Sequence, residues 1–194
     1  MPTTAVPNLL QDPGYLFWAP LLTAEPTNTV TGSKFTDSWP VAWISLGATE
    51  EGSTFNYSSE IEAVRVAEFF DPIKYATTER SGSMSFALAD WTLQNLKRAL
   101  NGGAVSVVSG TGATTLSKYE PPAPGQEVRA MIGWESLDNT VRIVMRQCIQ
   151  GGEMESAFAK APEYAKIACT FQFEFPSSAQ PFTVYSAGIV RAGT

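Results

Sequence analysis

The chain contains no histidine. That removes the commonest general base, the commonest metal ligand and every Ser-His or Cys-His nucleophile pair. Cysteine is nearly as scarce. Cys148 and Cys169 are the only two, too few for a disulfide scaffold or a metal-ligand cluster. Both are read as core thiols, with a bridge between neighbouring strands as the alternative. Charged residues make up 16% of the chain, against ~25% in an average soluble protein. Much of the surface is therefore expected to be covered by something other than water. No apolar run approaches the ~20 residues of a membrane helix. The opening MPTTAVPNLLQDPG has neither a basic region nor an apolar stretch of signal-peptide length. Synthesis in a cytoplasm and no membrane association are the expectations. A net charge of −6 and a pI near 4.7 argue against a protein that grips nucleic acid through its phosphates.

What is present is a core. Hydrophobic residues form 44% of 194 positions, enough for one domain with long arms. Residues 1–40 carry prolines at 2, 7, 13, 20, 26 and 40, a density that blocks long helices and central strands. A merely solvated tail would not hold Phe17, Trp18 and Trp39. The segment reads as an arm that docks on its own domain or on a neighbour, with those three aromatics as candidate contacts. Residues 41–175 read as a β-sandwich domain and 176–194 as a last strand or C-terminal arm.

Within the central domain the period is mostly two. Residues 59–70 alternate, with Ile61, Ala63 and Phe69 on one face and Glu60, Glu62 and Glu68 on the other. Residues 73–89 read as a hairpin turning at Ser81-Gly82, with Met84, Phe86 and Leu88 opposite the small Ser83, Ser85, Ala87 and Ala89. Residues 90–100 form the one convincing helix, capped by Asp90 and ended by Asn101-Gly102-Gly103. Residues 102–126 read as a long loop with one strand-like piece at 104–108. The clearest hairpin flanks Asp138-Asn139. One register pairs Trp134 with Ile143, Ile132 with Met145 and Val128 with Ile149 on one face, and Glu135 with Arg142 on the other. Residues 166–175 form a clean alternating strand. The fold class that follows is mostly β: two packed antiparallel sheets, sandwich- or barrel-like, with one flanking helix.

Residues 55–103, FNYSSEIEAVRVAEFFDPIKYATTERSGSMSFALADWTLQNLKRALNGG, resemble the core of major tail tube proteins from long, non-contractile-tailed bacteriophages, particularly those of actinobacteria. The resemblance lies in Val64–Glu68 leading into Asp71-Pro72, in Ala76-Thr77-Thr78, in Gly82–Leu88 and above all in Asn95–Gly103. It covers about a quarter of the chain by motif. It implies hexameric rings whose strands join across subunits into a continuous barrel. The rings would stack into a hollow virion tail around a tape measure protein, with tail terminator and distal tail or baseplate proteins at the ends. DNA would pass through the lumen without specific binding. No cofactor, metal or catalytic residue is implied.

Seven acids and two bases fall within residues 50–79, which hold five of the six net negative charges. On the tail-tube reading Glu60, Glu62 and Glu68, with Ser83 and Ser85, are lumen-lining candidates. The plainer reading is a solvated sheet face. The Glu60/Glu62 spacing is that of surface charges rather than of a glycosidase pair. The glycines at 102, 103, 110 and 112 lack the Gly-Lys-Ser/Thr of a phosphate loop. The rival from another class is a carbohydrate-binding or host-adhesion module using Trp18, Trp39 and Trp43 as a platform.

Overall fold

The computed structural model describes residues 14–156, 158, 164–177 and 179–188. The protein is mostly β with one short helix. In chain order the strands are β1 (Tyr15–Pro20), β2 (Val30–Thr31), β3 (Lys34–Phe35), β4 (Ile44–Ser45), β5 (Thr49–Val64) and β6 (Lys74–Leu88). After helix α1 (Leu93–Ala99) come β7 (Ala104–Ser109), β8 (Leu116–Glu120), β9 (Ala130–Glu135), β10 (Val141–Gln150), β11 (Ile167–Phe173) and β12 (Phe182–Ser186). The main sheet is antiparallel, with order β4-β1-β9-β10-β11-β6-β5 and β12 on the first half of β10. The two expected layers are thus two wings of one hydrogen-bonded sheet that share β10. They close on a common core of Leu16, Ile132, Met145, Ile167, Phe171 and Met84. Rings from opposite wings meet, Phe55 on Phe182 at 5.1 Å.

The β9–β10 hairpin keeps the register expected from its apolar pairs, Ile143 opposite Trp134 and Met145 opposite Ile132. Its turn is wider than two residues. Ser136 pairs with Val141, the Asn139 N–H donates to the Ser136 carbonyl, and Asn139 takes φ 59°. Widening the turn by one residue on each side preserves the register. A bulge after Met145 puts Cys148 opposite Ala130, so the expected Val128–Ile149 pair does not form.

Gly82 is not a turn. β6 runs unbroken through it, and a Cβ there would overlap the Phe173 ring, so the glycine makes room for packing across the sheet. The reversal before β6 lies instead between Val64 and Lys74, closed by the Ile73 N–H on the Val64 carbonyl at 2.9 Å. The expected strand over 59–70 therefore ends at Val64, and its beginning extends back to Thr49.

Helix α1 is capped by Thr92 rather than Asp90, the Asn95 N–H donating to Thr92 Oγ1 at 3.1 Å. Asp90 serves through its carbonyl, which accepts from Asn95 Nδ2 together with the Leu46 carbonyl. The helix stops where expected: Asn101 adopts φ 56° and the Gly102 N–H reaches back to the Lys97 carbonyl at 2.8 Å. The long loop over 102–126 contains a second strand, β8, that pairs with β7 into a small separate sheet. The segment expected as an N-terminal docking arm is, in its described part, built into the domain. β1 lies between β4 and β9, and β12 gives residues 182–186 a place beside β10.

Candidate assembly surface

β5 is the edge of the main sheet and is 16 residues long, against the usual 3–10. Its partner β6 borders β11 only from Ser83 to Leu88. From Ser81 outward, β5 and β6 pair with each other alone and form a two-stranded ribbon beyond the sheet. Along this ribbon, residues 57–64 and 74–81 are exposed on both faces, apart from the half-buried Ala63 and Ala76. Large apolar side chains stand in solvent there: Ile61, Val64, Val66, Phe69, Ile73, Tyr75 and the fully exposed Phe70. A long edge that no described strand pairs, bearing such side chains, is a template for pairing with another chain.

The two faces of this hairpin differ. Strict alternation along β5 puts Thr54, Asn56, Ser58, Glu60 and Glu62 on one face, and the register adds Ser81, Ser83 and Ser85 of β6. Thr170 and Gln172 of β11 continue that face, Ser85 and Thr170 being hydrogen-bonded through their hydroxyls at 2.9 Å. The structure thus brings together Glu60, Glu62, Ser83 and Ser85 of the sequence-derived candidates. It excludes Glu68, which lies in the reversal beyond Val64. The register that runs unbroken from Ser53 sets Glu79 directly opposite Glu60, a like-charge pair that favours a wet surface, and a bulge in β6 follows it. On the other face, Phe55, Tyr57 and Arg80 continue the line of Met84 and Phe86 out of the core.

The aromatic contact candidates are occupied within the chain. Phe17 stacks on Trp39 at 4.5 Å, Trp39 packs edge-on to Trp43 at 4.7 Å, and Trp18 lies under the Arg98 guanidinium at 5.7 Å. Trp39 Nε1 donates to the Glu135 carboxylate and Trp43 Nε1 to the Ala24 carbonyl at 2.8 Å. The three indoles therefore present no open coplanar platform for a sugar.

The Glu135–Arg142 pair is the centre of a larger network that the sequence pattern did not reveal. Arg142 is 1% exposed and donates from Nη2 to Glu135 at 2.9 Å and from Nη1 to Asp37 at 3.0 Å. It also reaches Asn28 Oδ1 and the Asp37 carbonyl, with the Phe35 ring 4.6 Å away. Desolvation acts to raise the Asp37 carboxyl. Hydrogen bonds from the Asn28 N–H and the Thr27 hydroxyl, with the Arg142 charge, outweigh it and hold that carboxyl below the ordinary aspartate range. Arg142 thereby staples residues 27–39 over the outer face of the β1-β9-β10 wing. Only the clustering of Asn28, Phe35 and Asp37 in a Pro-rich stretch hinted at this, because their partner lies more than a hundred residues along the chain.

Cys148 and Cys169 are free and buried, without a bridge between them. Burial pushes the Cys169 thiol up to about 12 and raises Cys148 likewise, so both are inert core thiols. No described helix is long and apolar enough to cross a membrane. No family model and no curated protein sequence matches the chain.

Proposed function

We propose that the protein is a structural subunit of a bacteriophage tail tube, assembling head-to-tail into rings that stack into a hollow conduit for DNA. The observation that carries this reading is the β5–β6 ribbon. It is a long antiparallel hairpin whose outer half has, among the described residues, a free edge on each strand and no cover on either face. Pairing such edges between copies removes them, and closure into a barrel removes them altogether. The small-polar and acidic face bearing Glu60, Glu62, Ser83 and Ser85 supplies the lumen wall. DNA carries about one negative charge per 1.7 Å of axis, so a wall whose fixed charges are mostly carboxylates, with Lys74 at its outer end, stays non-adhesive. In this role the protein performs no chemical step and needs no cofactor. Its partners are further copies of itself, a tape measure protein inside the tube, and terminator and baseplate proteins at its ends, in the virion.

Negative-stain microscopy over a concentration series, with and without virion seeds, tests the proposal. Rings or tubes of uniform diameter are expected. A chain that stays monomeric throughout overturns it, and retention of that monomer on a glycan column would favour the adhesion module instead.

A further inference from the structure

Where the core face of the β5–β6 sheet runs out, the chain leaves an open cavity of about 340 Å³ lined by Tyr57, Phe173, Phe175, Pro181, Phe182 and Arg80. Its walls are largely aromatic: Phe173 and Phe182 lie 5.6 Å apart and Tyr57 and Phe182 5.5 Å apart. Arg80 is exposed, and no ion-pair partner for it is found among the described residues. An open slot of rings with one unneutralised guanidinium suits an aromatic side chain flanked by carboxylates.

The chain itself carries that ligand. At the end of the ribbon stands Glu68-Phe69-Phe70-Asp71, with Phe70 wholly exposed and Phe69 64% exposed. Neither Glu68 nor Asp71 has an ion-pair partner among the described residues. The tip is held in shape by the Ile73 N–H on the Val64 carbonyl at 2.9 Å and by Arg65 Nη1 on the Phe70 carbonyl at 3.4 Å. The bonded carbonyl fixes the backbone from which the Phe70 ring projects. It cannot reach its own cavity. Strands rise about 3.3 Å per residue, so Lys74 at the base of the tip already lies about 20 Å along the ribbon from Arg80.

We infer that the Phe69-Phe70 tip of one copy inserts into the Tyr57–Phe173–Phe182 cavity of another, with Arg80 of the receiving copy paired to Glu68 or Asp71 of the inserting one. The inference rests on the self-assembly reading and names the contact that would make it directional. Knob and cavity lie on different parts of the chain, so the interface is head-to-tail and repeats into a ring or a helical stack.

Two single-cysteine substitutions at exposed positions beside the contact, Ala67→Cys in one batch and Gln180→Cys in another, test it with both phenylalanines left in place. The native thiols are buried and should not react. Mixed under conditions in which the unsubstituted protein assembles and treated with a short bismaleimide, they should yield a 67–180 crosslinked dimer. Neither batch alone should do so. Arg80→Glu should raise the concentration needed for assembly about tenfold or more, as loss of an interface anchor does, and Asp71→Arg in the same chain should restore it. Phe70→Tyr should assemble normally, while Phe70→Asp should stay folded by circular dichroism and fail to assemble. Absence of the 67–180 crosslink while the unsubstituted protein forms rings or tubes overturns this contact and leaves the tube reading standing. An unsubstituted chain that never assembles overturns both, and flotation of the chain with lipid vesicles through Phe70 in that case would assign the tip to a membrane.

Discussion

Two long antiparallel hairpins in this chain meet opposite fates. The β9–β10 hairpin is covered on both faces: the common core lies on one side, and residues 27–43 lie on the other. The β5–β6 hairpin is covered near its base and bare on both faces beyond Ser81. The contrast follows from composition. β9 reads AMIGWE and is buried at every position, so even its Glu135 and the facing Arg142 are drawn inside and need a full set of partners. The outer half of β5 reads SSEIEAV, its few apolar residues set among serine and glutamate, and no described residue covers it. A charge buried in one hairpin stabilises a single subunit. Apolar side chains exposed in the other add nothing to the subunit and are, on the proposed assembly, the surface that a second copy would cover.

Removing the guanidinium breaks the first half of that comparison most severely. Arg142→Ala leaves Glu135 buried without its counter-charge and should cost roughly 3–5 kcal/mol in a urea titration. The joint replacement Arg142→Met with Glu135→Gln should cost distinctly less, because the buried Glu135 charge is removed too and only Asp37, still bonded by Thr27 and Asn28, loses its counter-charge. Next in size is Gly82→Val, whose side chain meets the Phe173 ring; a loss of about 1–3 kcal/mol is expected from overpacking. A change near zero would mean that β6 is free to turn at Gly82 after all.

The acid limb of stability sharpens the comparison further. Asp37 titrates below its ordinary range, as described above. Hydrogen bonds from Arg129 and Gln147 do the same for Glu174. A carboxyl with a depressed folded pKa adds stability that is fully present above its unfolded value and is lost as pH falls through the folded one. Urea midpoints should therefore drop as pH is lowered below about 4, and Asp37→Asn should flatten that drop. The smallest effect belongs to the ribbon. Ile61→Ser should change the stability of the isolated subunit by no more than about 0.5 kcal/mol, since Ile61 is 61% exposed. The same substitution should weaken assembly, which light scattering reads directly.

Local pattern was enough to place several elements. The Trp134–Ile143 and Ile132–Met145 pairs follow from period-2 alternation about one turn, and the structure keeps them. Alternation likewise marked Ile167, Cys169 and Phe171 as the buried line of β11. The end of α1 was legible because Asn101 and Gly102 are residues that tolerate positive φ. Of the candidate site, the shared face of Glu60, Glu62, Ser83 and Ser85 was half visible. Alternation grouped each pair, but joining them needed the β5–β6 register.

What sequence alone determined is what neighbours along the chain decide: strand faces, one hairpin register, one helix stop, and a mostly β class free of histidine chemistry. Tertiary structure decided whatever depends on residues far apart. Ser81-Gly82 has turn chemistry, yet Phe173 of a distant strand makes the glycine a packing gap. Thr92 and Asp90 both have capping side chains, and the docking of Asn95 on Leu46 and Asp90 carbonyls chose between them. Pro-rich residues 14–40 looked like an arm, because nothing local shows that Arg142 will hold Asp37 or that β1 will enter the sheet beside β9. A backbone propensity is worth at most about 1 kcal/mol per residue for all but proline, whereas burying a ring or leaving a charge unpaired is worth several times that. Wherever the two disagree in this protein, the longer-range contact prevails.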